Sequence, residues 1–244
     1  MKAMVFAAGL GTRLKPVTDS MPKALVPVCG KPLLAHVLEK LAAYGYDDIV
    51  VNVHHFSSMI LDYLAGHDFG VRISISDESG SLLETGGGIL NARELLDGGD
   101  FLVHNVDIIS DLDLSWFRAQ HKPEAVATLL VSPRETQRYL LFDDDMRLVG
   151  WTNVATGEVR SPHPGLDIRK CRRFAFSGIH YISPGIFDLF GICGFKERFP
   201  IMDFYLDACA RYPIYGVVPE SLTLVDVGKL DSLAQAEKIC ASLL

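Results

Sequence analysis

Short apolar runs alternate with stretches in which apolar residues recur every three to four positions along the N-terminal part of the chain. Residues 3–6 are apolar throughout, and between residues 33 and 41 Leu33, Leu34, Val37, Leu38 and Leu41 share one helical face. Pro32 suits the first turn of that helix and Gly45 its end. Residues 49–53 read as a buried strand, 57–64 as a helix with Met59, Ile60, Tyr63 and Leu64 inward, and 71–76 as another strand. This alternation predicts a parallel sheet with helices on both faces, in which ligands bind beyond the carboxyl ends of the strands.

Farther on, residues 101–105 form a short apolar strand, and 114–121 a helix that Asp113 is placed to cap. Residues 125–131 read as a strand, and 139–142 and 147–151 as a hairpin whose turn is Asp143-Asp144-Asp145. The segment 152–170 mixes Gly, Pro and charge and is expected to be a loop or lid. Residues 174–180 alternate like a strand; helices are expected at 184–190 and 201–210, strands at 214–218 and 222–225, and a closing helix at 231–243 with Asp231 as its cap. The three glycines 86–88 are costly inside an element, so they predict a loop whose backbone approaches something closely, where a flat base would fit, the alternative being a flexible connector, with a helix following to Leu96.

The 244 residues suffice for one large domain, and 49% hydrophobic with 22% charged residues is ordinary for a soluble globular chain. A net charge of −7 argues against a nucleic-acid backbone as partner. The five cysteines show neither Cys-x-x-Cys nor zinc spacing, and the odd count suits a reducing cytoplasm. No stretch approaches the roughly 20 apolar residues that span a bilayer. The expectation is a single-domain cytoplasmic protein with no membrane partner.

Chemistry concentrates in residues 7–23, directly after the first strand. Gly9 and Gly11 let backbone N–H groups point at phosphate oxygens, Arg13 offers a planar fork and Lys23 a mobile charge, and Pro16 and Pro22 favour an extended loop. The dinucleotide fingerprint is excluded because Leu14 stands where its third glycine belongs, and the Walker A spacing is missing. A plain glycine turn with solvated charges remains the bland alternative. Asp107 stands just past the strand 101–105 as a candidate Mg²⁺ ligand, the alternative being that Asp107, Asp111 and Asp113 decorate a turn. His36, His54 and His55 lack carboxylate partners at metal spacing.

Taken whole, Gly9 to Leu14 with Pro16, followed by Pro22 to Leu33, resembles the signature of sugar-1-phosphate nucleotidyltransferases. The run from Glu84 to Ile89 resembles that family's base-recognition loop, in the form seen in uridylyltransferases of muramate phosphate. Ser177-Gly178-Ile179 resembles its strand beside the sugar, and Val225-Asp226-Val227-Gly228 its second metal segment. Where the family has Gly-Asp this chain reads Asn105-Val106-Asp107, and it has no Glu-Lys-Pro motif.

The resemblance implies a Rossmann-like, mostly parallel sheet with a small β-rich insertion. The implied reaction is attack of a sugar-1-phosphate on the α-phosphorus of a nucleoside triphosphate. Ala8, Gly9, Gly11, Thr12, Arg13, Glu84, Thr85, Gly86 and Gly87 would meet the nucleotide; Lys23, Ser177 and Gly178 the sugar phosphate; Asp107 and Asp226 a Mg²⁺ ion. Arg13, Lys23 and Asp107 would carry the catalysis, with UTP and an amino-sugar phosphate favoured. A binding protein without turnover, and transfer to phosphocholine or a similar phosphorylated alcohol, are the other readings.

Overall fold

The computed structural model describes residues 1–243, with side chains through Lys238. Strand β1 (Lys2–Phe6) is followed by a loop wound into three single 3-10 turns, Thr12–Leu14, Val17–Asp19 and Lys23–Leu25. The short strands β2 (Pro27–Val28) and β3 (Lys31–Pro32) then lead into α1 (Leu33–Ala43), β4 (Asp48–Val53), α2 (Ser57–Ala65) and β5 (Arg72–Asp77). Helices α3 (Glu84–Asn91) and α4 (Arg93–Leu96) precede β6 (Phe101–Asn105). β1 pairs in parallel with β4 on one side and β6 on the other, and β4 with β5.

The remainder comprises β7 (Ile108–Ser110), α5 (Leu114–Ala119), β8 (Ala127–Ser132), β9 (Arg138–Phe142), β10 (Leu148–Asn153), β11 (Glu158–Arg160), β12 (Arg172–Ile182), α6 (Ile186–Ile192), α7 (Ile201–Ala208), β13 (Ile214–Val217), β14 (Leu224–Asp226) and α8 (Leu230–Leu243). The long β12 runs antiparallel to β6 and β8, and β13 joins β8 in parallel. The first residues of β12 pair with β9, so β9, β10 and β11 form the small β-rich extension. Both faces of the sheet are dry: Ala3 and Val5 enter one apolar cluster with α1, while Met4, between them, enters the other with α6 and α7, as the strand period of two dictates. Asp113 caps α5 through its Oδ1, which accepts from the Ser115 and Trp116 N–H groups at 2.8 and 2.9 Å.

Several expectations need correction. Residues 84–91 are helix α3, with Gly86, Gly87 and Gly88 buried inside it. The helical cost of glycine, about 1 kcal/mol each relative to Ala, is outweighed by close packing. A Cβ on Gly86 would lie 2.2 Å from the Phe199 ring, and one on Gly87 2.1 Å from the Glu197 carbonyl oxygen. The segment 7–23 is wound into 3-10 turns instead of extended. Part of 152–170 is strand, since β11 pairs with β10. Asp231 lies inside the first turn of α8, where the Ser232 hydroxyl accepts from the Lys229 N–H. Cys171, Cys193 and Cys209 are free thiols, but Cys29 is disulfide-bonded, against the reduced state anticipated.

Candidate active site

The loop after β1 is held from below by β4. Asn52, near the end of that strand, accepts through Oδ1 from the N–H groups of Ala7 at 2.7 Å and Ala8 at 3.2 Å. Gly11 has φ +63°, and a Cβ there would meet Thr18 Cγ2 at 2.9 Å and Lys23 Cβ at 3.0 Å. Glycine is therefore what lets the loop fold back over its own second half. The Thr18 hydroxyl closes the crossing by donating to the Gly11 carbonyl at 2.8 Å.

This loop forms one wall of a cavity of about 430 Å³ at the carboxyl ends of β1, β4 and β6. Ala8, Gly9, Lys23, Glu84, Thr85 and Asp107 all face it. Lys23 Nζ is ion-paired with Asp107 Oδ2, both side chains being largely buried at 10% and 15% exposure. A pair so poorly solvated persists because each charge neutralises the other, and removal of either partner strands its mate.

Asp226 joins this group through strand pairing. β14 is antiparallel to β7, and the Val227 N–H donates to the Asp107 carbonyl at 2.8 Å, so the two aspartate segments run side by side. Asp226 Oδ1 is buried with no hydrogen-bond partner. Burial raises the Asp226 pKa above the usual carboxylate value and the nearby Asp107 raises it further, while Lys23, Arg13 and Arg134 oppose the shift. Arg13 comes close because Gly228 has no side chain: a Cβ there would lie 2.6 Å from Asp226 Oδ1 and 2.8 Å from Arg13 Nη2. Two neighbouring carboxylates, one with an orphaned oxygen, are the donor type that Mg²⁺ takes alongside phosphate oxygens. No group of three or more His, Cys, Asp or Glu residues suited to a metal occurs among the described residues, so further ligands would come from substrate and water.

Other residues singled out in the sequence lie differently. Gly11, Thr12 and Arg13 stand outside the cavity lining. The N–H groups of Gly86 and Gly87 both donate to the Phe199 carbonyl, at 2.8 and 3.1 Å. Thr85 Oγ1 accepts from the Ile201 N–H at 2.9 Å, and Glu84 pairs with Arg198 at 3.0 Å. Ser177 is buried with its hydroxyl 3.4 Å from that of Ser132, and Gly178, at φ +75°, occupies the shift in register between β12 and β8. The sequence reading missed Asn52, Glu78, Leu82 and Pro200, which also line the cavity. Asn52 had a visible signal, being the one polar residue in the apolar run 49–53. No helix is long and apolar enough to cross a membrane among the described residues.

The family model described as nucleotidyl transferase matches residues 2–140. The chain is 34% identical to N-acetylmuramate α-1-phosphate uridylyltransferase of Caulobacter vibrioides over 90% of its own length and 89% of that protein. It is 32% identical to mannose-1-phosphate guanyltransferase β-B of Xenopus laevis, over 83% of this chain and 56% of that one. Among solved structures, a putative glucose-1-phosphate thymidylyltransferase from Bacillus anthracis superposes with a TM-score of 0.78 at 19% identity, covering 100% of this chain and 96% of that one. That likeness concerns the fold.

Proposed function

The chain belongs to the nucleotidyl transferase family, and from that premise we propose that it transfers uridylate from UTP to an amino-sugar 1-phosphate of the N-acetylmuramate type. The products are a nucleotide sugar and pyrophosphate. What carries the reading is the convergence of the glycine loop, Lys23 and Asp107 on one cavity at the carboxyl ends of the parallel strands. Identity to the Caulobacter uridylyltransferase along nearly the whole of both chains supports the choice of base and acceptor.

In the reaction an oxygen of the sugar 1-phosphate forms a bond to the α-phosphorus of UTP while the bond from that phosphorus to the bridging β-phosphate oxygen breaks. The protein's task is to position anions and neutralise charge. The backbone at Ala8 and Gly9 holds the triphosphate in the cavity, and Gly11, Thr12 and the Arg13 guanidinium, beyond its lining, meet the departing pyrophosphate where it extends past that wall. Glu84 and Thr85, backed by Gly86 and Gly87, border the nucleoside. Lys23 orients the attacking phosphate, and Ser177 and Gly178 border its sugar. Asp107 and Asp226 would hold Mg²⁺, whose contribution is to offset negative charge on the phosphate oxygens. All of this belongs to one catalytic domain.

The test is pyrophosphate release with Mg²⁺ across the four ribonucleoside triphosphates and dTTP, against a panel of sugar 1-phosphates and phosphocholine. Release confined to UTP with N-acetylmuramate 1-phosphate or a near relative is expected. Release confined to another base or acceptor would replace the substrate assignment, and binding of nucleotide without release from any pair would replace the enzyme with a binding protein.

Lys23→Ala is expected to raise KM for the sugar phosphate by about tenfold or more, as loss of one charge-assisted contact does, with KM for UTP changed far less. Steady-state kinetics with each substrate varied in turn measures this. Equal losses towards both substrates would reassign Lys23 to holding Asp107 in place.

A further inference from the structure

We propose that Asn52 and Glu78 are positioning residues that fix the distance between the phosphate side and the base side of the nucleotide cavity. This rests on the reading that the cavity receives a nucleoside triphosphate. The two residues are 2% and 3% exposed and line that cavity from adjacent strand ends, Asn52 in β4 and Glu78 just beyond β5. Their side chains form one continuous chain of hydrogen bonds. Asn52 Oδ1 accepts from the Ala7 and Ala8 N–H groups, Asn52 Nδ2 donates to Glu78 Oε1 at 2.7 Å, and Glu78 Oε2 accepts from the Leu83 N–H at 3.1 Å.

The chain thus begins on the loop expected to cradle phosphates and ends on the residue that opens α3, beside Glu84 and Thr85. The glycine at 88 completes it. A Cβ there would lie 2.7 Å from Glu78 Oε1 and 3.3 Å from Asn52 Nδ2, so α3 can rest on the pair only where it has no side chain. Polarity is fixed along the whole path: because Oδ1 of Asn52 faces two donors, its amide must present Nδ2 to Glu78, and both Glu78 oxygens must accept. Burial raises the Glu78 pKa above the usual carboxylate value, and the donors Asn52 and Leu83, with His54, oppose that shift.

A reciprocal exchange tests this. In Asn52→Asp a second carboxylate faces Glu78, and in Glu78→Gln a donor faces either Asn52 Nδ2 or the Leu83 N–H. Each single variant is expected to raise KM for UTP about tenfold or more, leaving KM for the sugar phosphate within about threefold of wild type. In the double variant N52D/E78Q every donor again meets an acceptor. The carboxylate introduced on β4 accepts from Ala7, Ala8 and the new amide, whose oxygen accepts from Leu83. The double variant is expected to bring KM for UTP back to within about threefold of wild type.

A double variant no better than the singles overturns the proposal. So do singles that raise both KM values alike, or that lower only the melting temperature, since those describe a structural contact. If a single variant does not fold, the double variant and Gly88→Ala carry the test: a rescued double with a selectively raised UTP KM in Gly88→Ala supports the proposal, and any other pair of results overturns it. Should the wild-type protein release no pyrophosphate at all, the proposed function fails separately, and UTP affinity by calorimetry on the same variants reads the pair.

Discussion

Asp107→Asn is expected to lower kcat by about a thousandfold or more with KM for UTP little changed, and to lower the melting temperature by roughly 6 to 20 °C, because removing one partner of a buried ion pair costs about 3–5 kcal/mol. The size of the kcat effect follows from asking one charge to supply several kcal/mol of transition-state stabilisation, at about 1.4 kcal/mol per factor of ten. Asparagine keeps the shape and leaves an oxygen for Lys23, so the geometry of the site is retained while the Lys23 charge loses its counter-ion and the negative charge beside Asp226 disappears. Two further consequences check the assignment. Asp226, whose pKa is raised by burial and by Asp107, should titrate closer to the ordinary carboxylate value once that neighbour is neutral. Added Mg²⁺ should also restore little of the lost rate, because one of two carboxylate ligands is missing. Pre-steady-state and steady-state pyrophosphate release measure the first effect, and turnover within about tenfold of wild type would remove Asp107 from the reaction.

Gly87→Ala is expected to produce the largest loss of stability among the helical glycines. Two terms oppose each other. Alanine favours a helix over glycine by about 1 kcal/mol, whereas its methyl group would stand 2.1 Å from the Glu197 carbonyl oxygen and 3.1 Å from Leu83 Cβ. The first of these is backbone and cannot swing aside, so the cost belongs at or above the upper end of the usual overpacking penalty of about 1–3 kcal/mol. A net loss of about 2 kcal/mol or more lowers the melting temperature of a chain this size by at least roughly 4 to 8 °C. Gly191→Ala in α6 is the matched control. Nothing lies within 4 Å of a Cβ there, and it should be neutral or slightly stabilising. Thermal unfolding of the two variants side by side decides the matter, and equal melting temperatures would mean that α3 is not packed as described.

The same three glycines show where sequence reasoning stopped. Intrinsic propensity speaks against a helix at 86–88, and three glycines carry no apolar periodicity to oppose it. The partner that makes those glycines necessary, the segment at Glu197 to Phe199, lies more than a hundred residues away and carries no motif. By contrast, the β1 to β5 alternation was legible because apolar periodicity reports burial directly. The Asp113 cap was legible because side chain and target are two and three residues apart. The glycine loop with Arg13 and Lys23, and the two aspartates, were visible as residue types in order. The Asn52–Glu78 pair was not, since Glu78 looks like any surface acid until the fold brings it to Asn52. Nor could the sequence reveal that the Gly86 and Gly87 N–H groups are taken by Phe199.

The wall of the cavity that includes Glu84 and Thr85 also has a consequence in time. Thr85 is tied to Ile201 across 116 residues and Glu84 to Arg198 across 114, so α3, which can already rest on Asn52 and Glu78, lacks this second support until that far segment has been made. At typical translation rates of about 5–20 residues per second, roughly 6 to 23 s separate synthesis of Thr85 from that of Ile201. During this interval the loop after β1 and Asp107 can already be folded on β1 and β6, yet the wall formed by Glu84 and Thr85 lacks the support of Arg198 and Ile201. On the proposed function, nascent chains therefore hold the anion-binding half of the site before the half that faces the base is complete.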